Sequence, residues 1–394
     1  MATSASILES PEPTHSLGRP VKRLLLLGGG HAHVFVMRAC GAEPPPDTRV
    51  TVVSRARFTP YSGMLPGLLA GLCTFEESHI DLAWLAAETG CEFVEAESTL
   101  IRPDSHEVVC ADGRTFGYDL LSVDTGSTPA IDGVPGAREH ALPVKPVDRY
   151  LAGWRSIETR IAAGEHLCIA MVGGGAGGVE LLLSLQHRLR ATAGGETRFL
   201  LVTDQADILT NHNATVRRVF RHVLAARQVE VFLGHEVVRV EPHALHCANG
   251  ERVAVDASIW VTTAAAPRWV ADAGLATDHR GFIAVDDRLR SISHADVFAA
   301  GDVATMVNQP RPKSGVYAVR QGPPLARNLR GALSGEPLAA YRPQRLALAL
   351  IGTGDRCAVA SWGPFAAKGR WVWHWKNYID RRWMRRYLPP GATA

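Results

Sequence analysis

The stretch LLLLGGGHAHVFVMR, from Leu24 to Arg38, decides the fold class of the chain. Four leucines predict a buried β-strand, three glycines predict a tight turn, and the apolar residues after them predict a helix over Ala32–Cys40. This is the order of a G-x-G-x-x-G turn, where unpaired N–H groups at a helix N-terminus bind phosphate. Because His33 stands where the third glycine belongs, the stretch predicts a dinucleotide-binding turn in an altered form.

A second turn of the same kind occurs in LCIAMVGGGAGGVELLLSL, which begins at Leu167. Here all three glycines are present, at Gly173, Gly175 and Gly178. Asp204 ends the next predicted strand, where a carboxylate accepts hydrogen bonds from the adenosine ribose and repels a 2′-phosphate. The second unit therefore predicts binding of NAD(H) in preference to NADP(H).

The first turn keeps Gly28 and Gly30, so its anion site is expected to be intact. The histidine in place of the third glycine is expected to change only the spacing between helix and strand. His31 starts the helix and is expected to pack or to contact phosphate, and HAH without a third ligand predicts no metal site. Ser54 replaces the expected acid and would bind a ribose more weakly. Two such units in one chain support each other, because electron transfer between two dinucleotides needs both.

Composition limits the class of protein further. The chain has 394 residues, enough for two or three domains. Its composition, with 46% hydrophobic and 21% charged residues, is ordinary for a globular protein. A net charge of +3 is too mild to predict a nucleic-acid partner. Seven scattered cysteines favour a reducing cytoplasm, and no apolar run approaches the roughly 18–20 residues of a membrane span. Residues 1–19 lack the pattern of a signal peptide and are expected to form a flexible tail.

Further motifs carry a resemblance to a known family. They are LLLLGGGHAHV, RFTPYSGMLPGLLAG, HIDL, YDLLSVDTGSTP, LPVKPVDRY, VTDQADIL and VFAAGDVA. In these the chain resembles the FAD-dependent pyridine nucleotide-disulfide oxidoreductases, which include type II NADH dehydrogenases and sulfide:quinone reductases. Within them it looks most similar to the flavoprotein fused to, or encoded beside, selenide, water dikinase. The similarity runs from Val21 to Tyr387 and is more specific in the first half.

The resemblance implies an α/β fold with two Rossmann-like domains, as in glutathione reductase, and a C-terminal extension. The first turn would bind FAD and the second NAD(H). The predicted segments are the tail 1–19, an FAD-binding domain in two parts (20–148 and 271–338), an NAD(H)-binding domain (149–270), and a C-terminal segment (339–394) with an aromatic and basic helix.

The resemblance also implies roles for single residues. Thr125, Gly126, Gly301 and Asp302 would contact the FAD, and Pro60 and Tyr61 would lie against its isoalloxazine ring. Glu180 would lie near the nicotinamide, Lys145 would be a cation near the flavin, and Gln321 would lie near the acceptor, although Pro323 and Pro324 are expected to interrupt its helix. Two features depart from the family: Thr263-Ala264 replaces a Thr-Gly pair, and no cysteine pair follows the first turn. Disulfide reduction is therefore not expected.

The segment KGRWVWHWKNYIDRRWMRRY, residues 368–387, mixes aromatic and basic side chains at near-helical spacing. One interpretation is a helix on an anionic membrane surface, as type II quinone dehydrogenases have at their C-terminus. The other is a helix that caps the FAD domain, with buried tryptophans and solvated arginines. The sequence leaves both open.

These features predict an FAD-dependent oxidoreductase that passes a hydride from NADH to the flavin and on to a quinone-like acceptor. It is expected in the cytoplasm, with the cytoplasmic face of the membrane as a second location. Two alternatives stay open: a soluble reductase serving selenium or sulfur metabolism, and a flavoprotein that senses NADH without turnover. The oligomeric state is not predicted.

Overall fold

The computed structural model describes residues 21–192 and 197–392, so the predicted tail 1–19 lies outside the described residues. The first nucleotide domain begins with the quoted stretch: its leucines form a buried strand and its glycines lead into a helix. The strands of this part are β1 (Lys22–Leu27), β2 (Thr48–Ser54), β3 (Phe58–Pro60), β4 (His79–Asp81), β5 (Glu92–Glu95), β6 (Ser98–Arg102), β7 (Glu107–Cys110), β8 (Thr115–Gly117), β9 (Leu120–Val123) and β10 (Thr128–Pro129). Its helices are α1 (His31–Ala42), α2 (Leu65–Leu69), α3 (Phe75–Ser78) and α4 (Leu82–Thr89).

The second nucleotide domain repeats this order around the second glycine turn. Its helices are α5 (Ala137–His140), α6 (Val147–Ala162), α7 (Ala176–Thr192) and α8 (Ala214–Ala226). Its strands are β11 (Ala141–Pro143), β12 (Cys168–Val172), β13 (Arg198–Val202), β14 (Glu230–Phe232), β15 (Val237–Glu241), β16 (Ala244–Cys247), β17 (Arg252–Ala254), β18 (Ala257–Trp260) and β19 (Ala264–Ala265).

The chain then returns to the first domain through β20 (Ile283–Val285), β21 (Val297–Ala299), β22 (Ala304–Met306) and α9 (Gly315–Ser334). The predicted interruption at Pro323 and Pro324 is wrong, because α9 continues through both prolines. This helix packs along α1, and Gly322 lets the Phe35 side chain approach its backbone. That packing offsets the backbone hydrogen bonds that the prolines remove.

Two five-stranded parallel sheets organise the domains, in the orders β21-β9-β1-β2-β5 and β11-β18-β12-β13-β14. The strands at the centre of each sheet are buried on both faces, which explains their continuous apolar sequences. The predicted α/β class with two Rossmann-like domains is confirmed. Strand β11 pairs with the second sheet, although the predicted boundary placed residues up to 148 with the first domain.

The C-terminal segment forms an antiparallel sheet of β23 (Ala349–Gly352), β24 (Ala358–Trp362) and β25 (Phe365–Gly369), followed by α10 (Arg370–Met384). The sheet contacts the second domain: His212 Nδ1 lies 2.9 Å from Ser361 Oγ, and Arg227 pairs with Asp355 at 2.6 Å. Helix α10 contacts the first domain, where Arg381 pairs with Glu77 at 2.7 Å. The segment therefore bridges the two nucleotide domains.

Candidate active site

The second glycine turn lies between β12 and α7, and each of its three glycines has a separate role. Gly173 has φ +125°, and a Cβ there would lie 2.3 Å from the carbonyl oxygen of Val261. A Cβ on Gly178 would lie 2.0 Å from the carbonyl oxygen of Gly173, so this glycine keeps helix and strand close. A Cβ on Gly175 would meet open space, so the backbone there is free to approach a ligand.

Asp204 follows β13 at the edge of the same turn. Its side chain is exposed, and Gln205 Nε2 donates to its carboxylate at 2.9 Å. An exposed carboxylate at this position can accept hydrogen bonds from ribose hydroxyls, as the sequence predicts. The Thr263-Ala264 departure falls at the start of β19, which pairs with β10 of the first domain.

The first glycine turn is held by the histidine that replaces its third glycine. The buried His33 ring donates through Nδ1 to the Gly28 carbonyl oxygen at 2.7 Å, and its Nε2 accepts from Ser122 Oγ at 2.8 Å. Burial lowers the pKa of His33 to about 4, so the ring is neutral and can fill both roles. The sequence predicted only a change in helix spacing, whereas the structure shows a side chain that ties the turn to β9.

Asp124, directly after β9, is the residue of this turn that the sequence did not predict. Its carboxylate accepts from the backbone N–H groups of Ala32 at 2.9 Å and His33 at 3.2 Å, at the N-terminus of α1. Burial raises the pKa of Asp124 to about 7, against the effect of these two hydrogen bonds. In the sequence, an acidic residue directly after the apolar run LLSV was the signal from which this role could have been predicted.

Next to this turn, the structure brings together several of the residues predicted to bind FAD. Lys145 Nζ lies 2.9 Å from Asp302 Oδ2, and Ser127 Oγ donates to the same oxygen at 3.4 Å. Burial opposes ionisation of Asp302, but the Lys145 charge and hydrogen bond outweigh it, and the pKa of Asp302 lies below its usual value. The predicted cation and acid therefore form an ion pair beside the first glycine turn.

His31 lies between this ion pair and two aromatic rings. Its ring meets those of Tyr61 and Trp383 edge-on, each at 5.4 Å between centroids, and Tyr61 stacks on Trp383 at 4.3 Å. Burial lowers the pKa of His31 to about 4. Within the described residues its buried Nε2 has no hydrogen-bond partner, so this ring has one polar atom available to a ligand.

Three of the remaining predicted residues lie at or just after the ends of strands β2 and β9 of the first sheet. Thr125 is exposed, Gly126 has φ +79°, and Ser54 is half-buried at the end of β2. Gln321 on α9 accepts through Oε1 from the Gly301 N–H at 2.6 Å, and so supports the Gly301-Asp302 turn. It lines a small cavity with Asp302, apart from the one that contains Glu180.

Glu180 lies on α7, and it lines a cleft between the two domains and the C-terminal segment. Its Oε1 accepts from the Gly352 N–H at 2.7 Å, and burial raises the pKa of Glu180 to about 7. We call this opening the junction cleft; its lining includes Met64, Pro66, Cys73, Glu180, Gly352, Trp373, Lys376 and Asp380.

Lys376 and Asp380 give the junction cleft a buried ion pair that the sequence did not predict. Lys376 Nζ lies 2.8 Å from Asp380 Oδ2 and donates to the Gly63 carbonyl oxygen at 2.6 Å. Their side chains are only 14% and 11% exposed. In the sequence Lys376 is one of several basic residues of a tail, and only the fold sets it apart from the solvated ones.

A family model described as pyridine nucleotide-disulphide oxidoreductase matches residues 22–322, well over half of the chain. The chain belongs to this family. It is 28% identical over 298 residues to an NADH dehydrogenase-like protein of Mycobacterium tuberculosis, covering 72% of this chain and 74% of that one. It is 22% identical over 384 residues to a type II NADH:quinone oxidoreductase of Staphylococcus aureus, covering 92% and 94%.

Among solved structures, the fold is similar to that of sulfide:quinone oxidoreductase from Aquifex aeolicus. The TM-score is 0.76 at 19% identity, over 94% of this chain and 93% of that one. FAD and NADH are the two cofactors of this oxidoreductase. The described residues fit both: the first glycine turn is flanked by the unpaired His31 Nε2 and the exposed Thr125, and the second turn leaves space at Gly175.

One face of helix α10 packs against the first domain of this oxidoreductase, and the opposite face is exposed to solvent. Trp383, Met384 and the following Tyr387 are buried against the first domain. The other face carries exposed apolar side chains, and two more stack on each other where β24 ends and β25 begins; we call the six residues the aromatic patch, and they are Trp362, Phe365, Trp371, Trp375, Tyr378 and Ile379. In the part of the chain that the structure describes, no helix is long and apolar enough to span a membrane.

Proposed function

We propose that the chain oxidises NADH and passes the electrons through FAD to a quinone-like acceptor bound in the junction cleft. The observation that carries this proposal is the junction cleft itself. It joins Glu180, from the helix of the NADH turn, to Lys376 and to apolar residues of the loop that follows Tyr61. Its lining combines apolar side chains with a few convergent polar groups, which is the chemistry that binds a weakly polar ring. The names of the relatives support the same acceptor class.

When bound, FAD would supply the two-electron chemistry that links oxidation of NADH to reduction of the acceptor. Reduction of a quinone to a quinol by NADH consumes one further proton, which the protein must supply. Glu180 can hold that proton near neutral pH, because burial raises its pKa to about 7. Two of the three N–H groups of the Lys376 ammonium donate to the Gly63 carbonyl oxygen and the Asp380 carboxylate. The third can donate to an oxygen atom of the quinone-like electron acceptor.

A sulfur or selenium acceptor has less support in the junction cleft. Cys73 is the thiol in its lining, and burial raises the pKa of Cys73 to about 12. It is therefore protonated at neutral pH, whereas a thiol that attacks sulfur or selenium must be a thiolate. The resemblance to the flavoprotein of selenide, water dikinase stays a prediction, and such acceptors belong in the same experiment.

Glu180→Gln is expected to slow reoxidation of the reduced flavin by a quinone by about 100-fold, because the variant cannot supply the proton. Reduction by NADH should change far less. The wild-type rate should fall as pH rises through about 7, where Glu180 loses its proton, and the variant should lose this dependence. Anaerobic stopped-flow absorbance with NADH and then menadione or ubiquinone-1 measures both steps.

The exposed, ion-paired Glu165→Gln is the matched control and should leave both steps unchanged. Reoxidation no faster with quinones than with buffer would contradict the acceptor assignment. If polysulfide or selenite alone accelerates it, the selenium and sulfur alternative replaces the proposal. Flavin that NADH bleaches but no acceptor reoxidises would identify a sensor.

We further propose that the aromatic patch rests on the anionic surface of a membrane. Quinones dissolve in the lipid beneath such a surface. Phe365 is 67% exposed, Trp371 58% and Trp362 51%. Trp371, Trp375, Tyr378 and Ile379 share one face of α10, which is the spacing of an interfacial helix. Exposed basic side chains accompany them, at Lys368, Arg370, Arg382 and Arg385. Each cation near anionic lipid contributes about 1 kcal/mol.

The double variant Trp371→Gln/Trp375→Gln is expected to lower partitioning onto phosphatidylglycerol vesicles by at least about 10-fold, because two large apolar side chains leave the lipid interface. Both are exposed, so folding should be preserved. Cosedimentation with vesicles measures the effect. Val238→Gln, an exposed apolar residue of β15, is the control and should not change partitioning. Absence of vesicle binding by the unmodified protein would contradict the membrane assignment.

A further inference from the structure

The first glycine turn is built around the carboxylate of Asp124. A Cβ on Gly30 would lie 2.2 Å from Asp124 Cγ, and one on Gly301 would lie 2.3 Å from Asp124 Oδ1. A Cβ on Gly28 would lie 2.4 Å from the Asp124 carbonyl oxygen. All three glycines therefore make room for this aspartate, in addition to any space that they leave for a phosphate.

The carboxylate occupies hydrogen-bond donors at the N-terminus of α1. It accepts from the N–H groups of Ala32 and His33, while the Gly30 N–H donates to the Asp124 carbonyl oxygen at 3.1 Å. The family places the FAD pyrophosphate at this helix end. Two negative phosphates and an ionised carboxylate would then share one helix N-terminus in a site of low polarity, where like charges repel strongly.

We propose that Asp124 takes up a proton when FAD binds, and that the affinity of this protein for its flavin therefore weakens as pH rises. The protonated carboxyl keeps an oxygen that accepts from the helix N–H groups and no longer repels the pyrophosphate. The proposal concerns the flavin site and does not depend on which acceptor occupies the junction cleft.

Among the charged groups around Asp124 and its neighbour Asp302, Lys313 also titrates near neutral pH, because burial lowers its pKa to about 8, and the Asp124→Asn variant separates the two. Asp302 is paired with Lys145 and stays ionised, so it adds to the repulsion. The His33 ring is neutral with both nitrogens in use, and His31 next to Asp302 is neutral with a pKa lowered to about 4. Neither histidine gains a proton readily above neutral pH.

The direction of the effect follows from the two states of the protein. Before FAD binds, burial holds the pKa of Asp124 at about 7, and the pyrophosphate raises it further. Below this value Asp124 is protonated in both states, so the FAD affinity is constant. As pH rises above about 7, the Kd for FAD should increase by up to about 10-fold per pH unit, until Asp124 ionises in the complex as well.

Calorimetric titration of the apoprotein with FAD tests the proposal. At about pH 8, in two buffers of different ionisation enthalpy, the unmodified protein should take up about 0.5–1 proton per FAD. Asp124→Asn keeps an oxygen acceptor for the helix but cannot titrate, so it should take up almost none and show the same Kd from about pH 6 to 9. No uptake by the unmodified protein, or undiminished uptake by Asp124→Asn, would overturn the proposal.

Two further measurements separate Asp124 from its neighbours. Asp119→Asn removes an exposed carboxylate next to the same strand, paired with Arg23, and should leave the uptake unchanged. His31→Gln should also leave it unchanged, and its loss there would assign the proton to His31 and overturn the proposal. If Asp124→Asn does not fold, Lys313→Met decides: undiminished uptake with a maximum above about pH 7 supports Asp124, and a lower maximum or loss of the uptake excludes it.

Discussion

Replacing Lys376 with methionine is expected to lower the free energy of unfolding by about 3–5 kcal/mol. The Lys376 ammonium lies 2.8 Å from the Asp380 carboxylate, in a place where both side chains are nearly inaccessible to water. Glu180 also faces this charge. Methionine has a similar volume but leaves the Asp380 carboxylate buried without a cation, and that uncompensated charge dominates the cost.

Urea unfolding of the single and double variants measures this effect. Lys376→Met combined with Asp380→Asn removes both charges and should recover part of the lost stability, because no uncompensated ion is left. Arg198→Met is the matched control, since its pair with Glu230 is 65% and 46% exposed and should contribute at most about 1 kcal/mol. A cost for Lys376→Met no larger than that of Arg198→Met would show that the pair is solvated.

Gly175 and Gly178 are the second and third glycines of the NADH turn. Replacing each with alanine is expected to have a different effect on stability and to weaken NADH binding for a different reason. A Cβ at Gly178 would lie 2.0 Å from the Gly173 carbonyl oxygen, so α7 must move away from β12. This overlap should cost about 1–3 kcal/mol of stability and weaken NADH binding by at least about 10-fold. At Gly175 the Cβ meets open space, so stability should change by less than about 0.5 kcal/mol. NADH binding should still weaken at least about 10-fold, because the methyl group occupies the side from which the pyrophosphate approaches.

Thermal unfolding and NADH titration of the two variants separate a structural glycine from a ligand-contacting one. Gly177→Ala is the control, because its nearest neighbour would be the Val261 Cγ1 at 3.3 Å and α7 can accept alanine. Unchanged NADH affinity in Gly175→Ala would remove this glycine from the nucleotide site. Unchanged stability in Gly178→Ala would show that the helix can move at little cost.

The sequence by itself determined the α/β class, the two glycine turns and, through the family resemblance, the two cofactors. These are local features: a run of apolar residues, a glycine turn and an amphipathic helix lie within about 20 residues of one another. The element positions followed from the same patterns, as in α1, which was predicted over Ala32–Cys40 and observed over His31–Ala42. The uninterrupted passage of α9 through two prolines was not predictable, because packing against α1 decides it.

Only the tertiary structure decided which polar residues act together. Asp124 meets the backbone N–H of Ala32, 92 residues earlier, and Glu180 meets that of Gly352, 172 residues later. It also divided the basic aromatic tail into a buried face around Lys376 and Trp383, which packs on the rest of the protein, and an exposed patch, whose contact with a membrane stays a prediction. Burial and charge pairing depend on elements far apart in the chain, and they convert ordinary acids and amines into groups with altered pKa values. No local pattern carries that information.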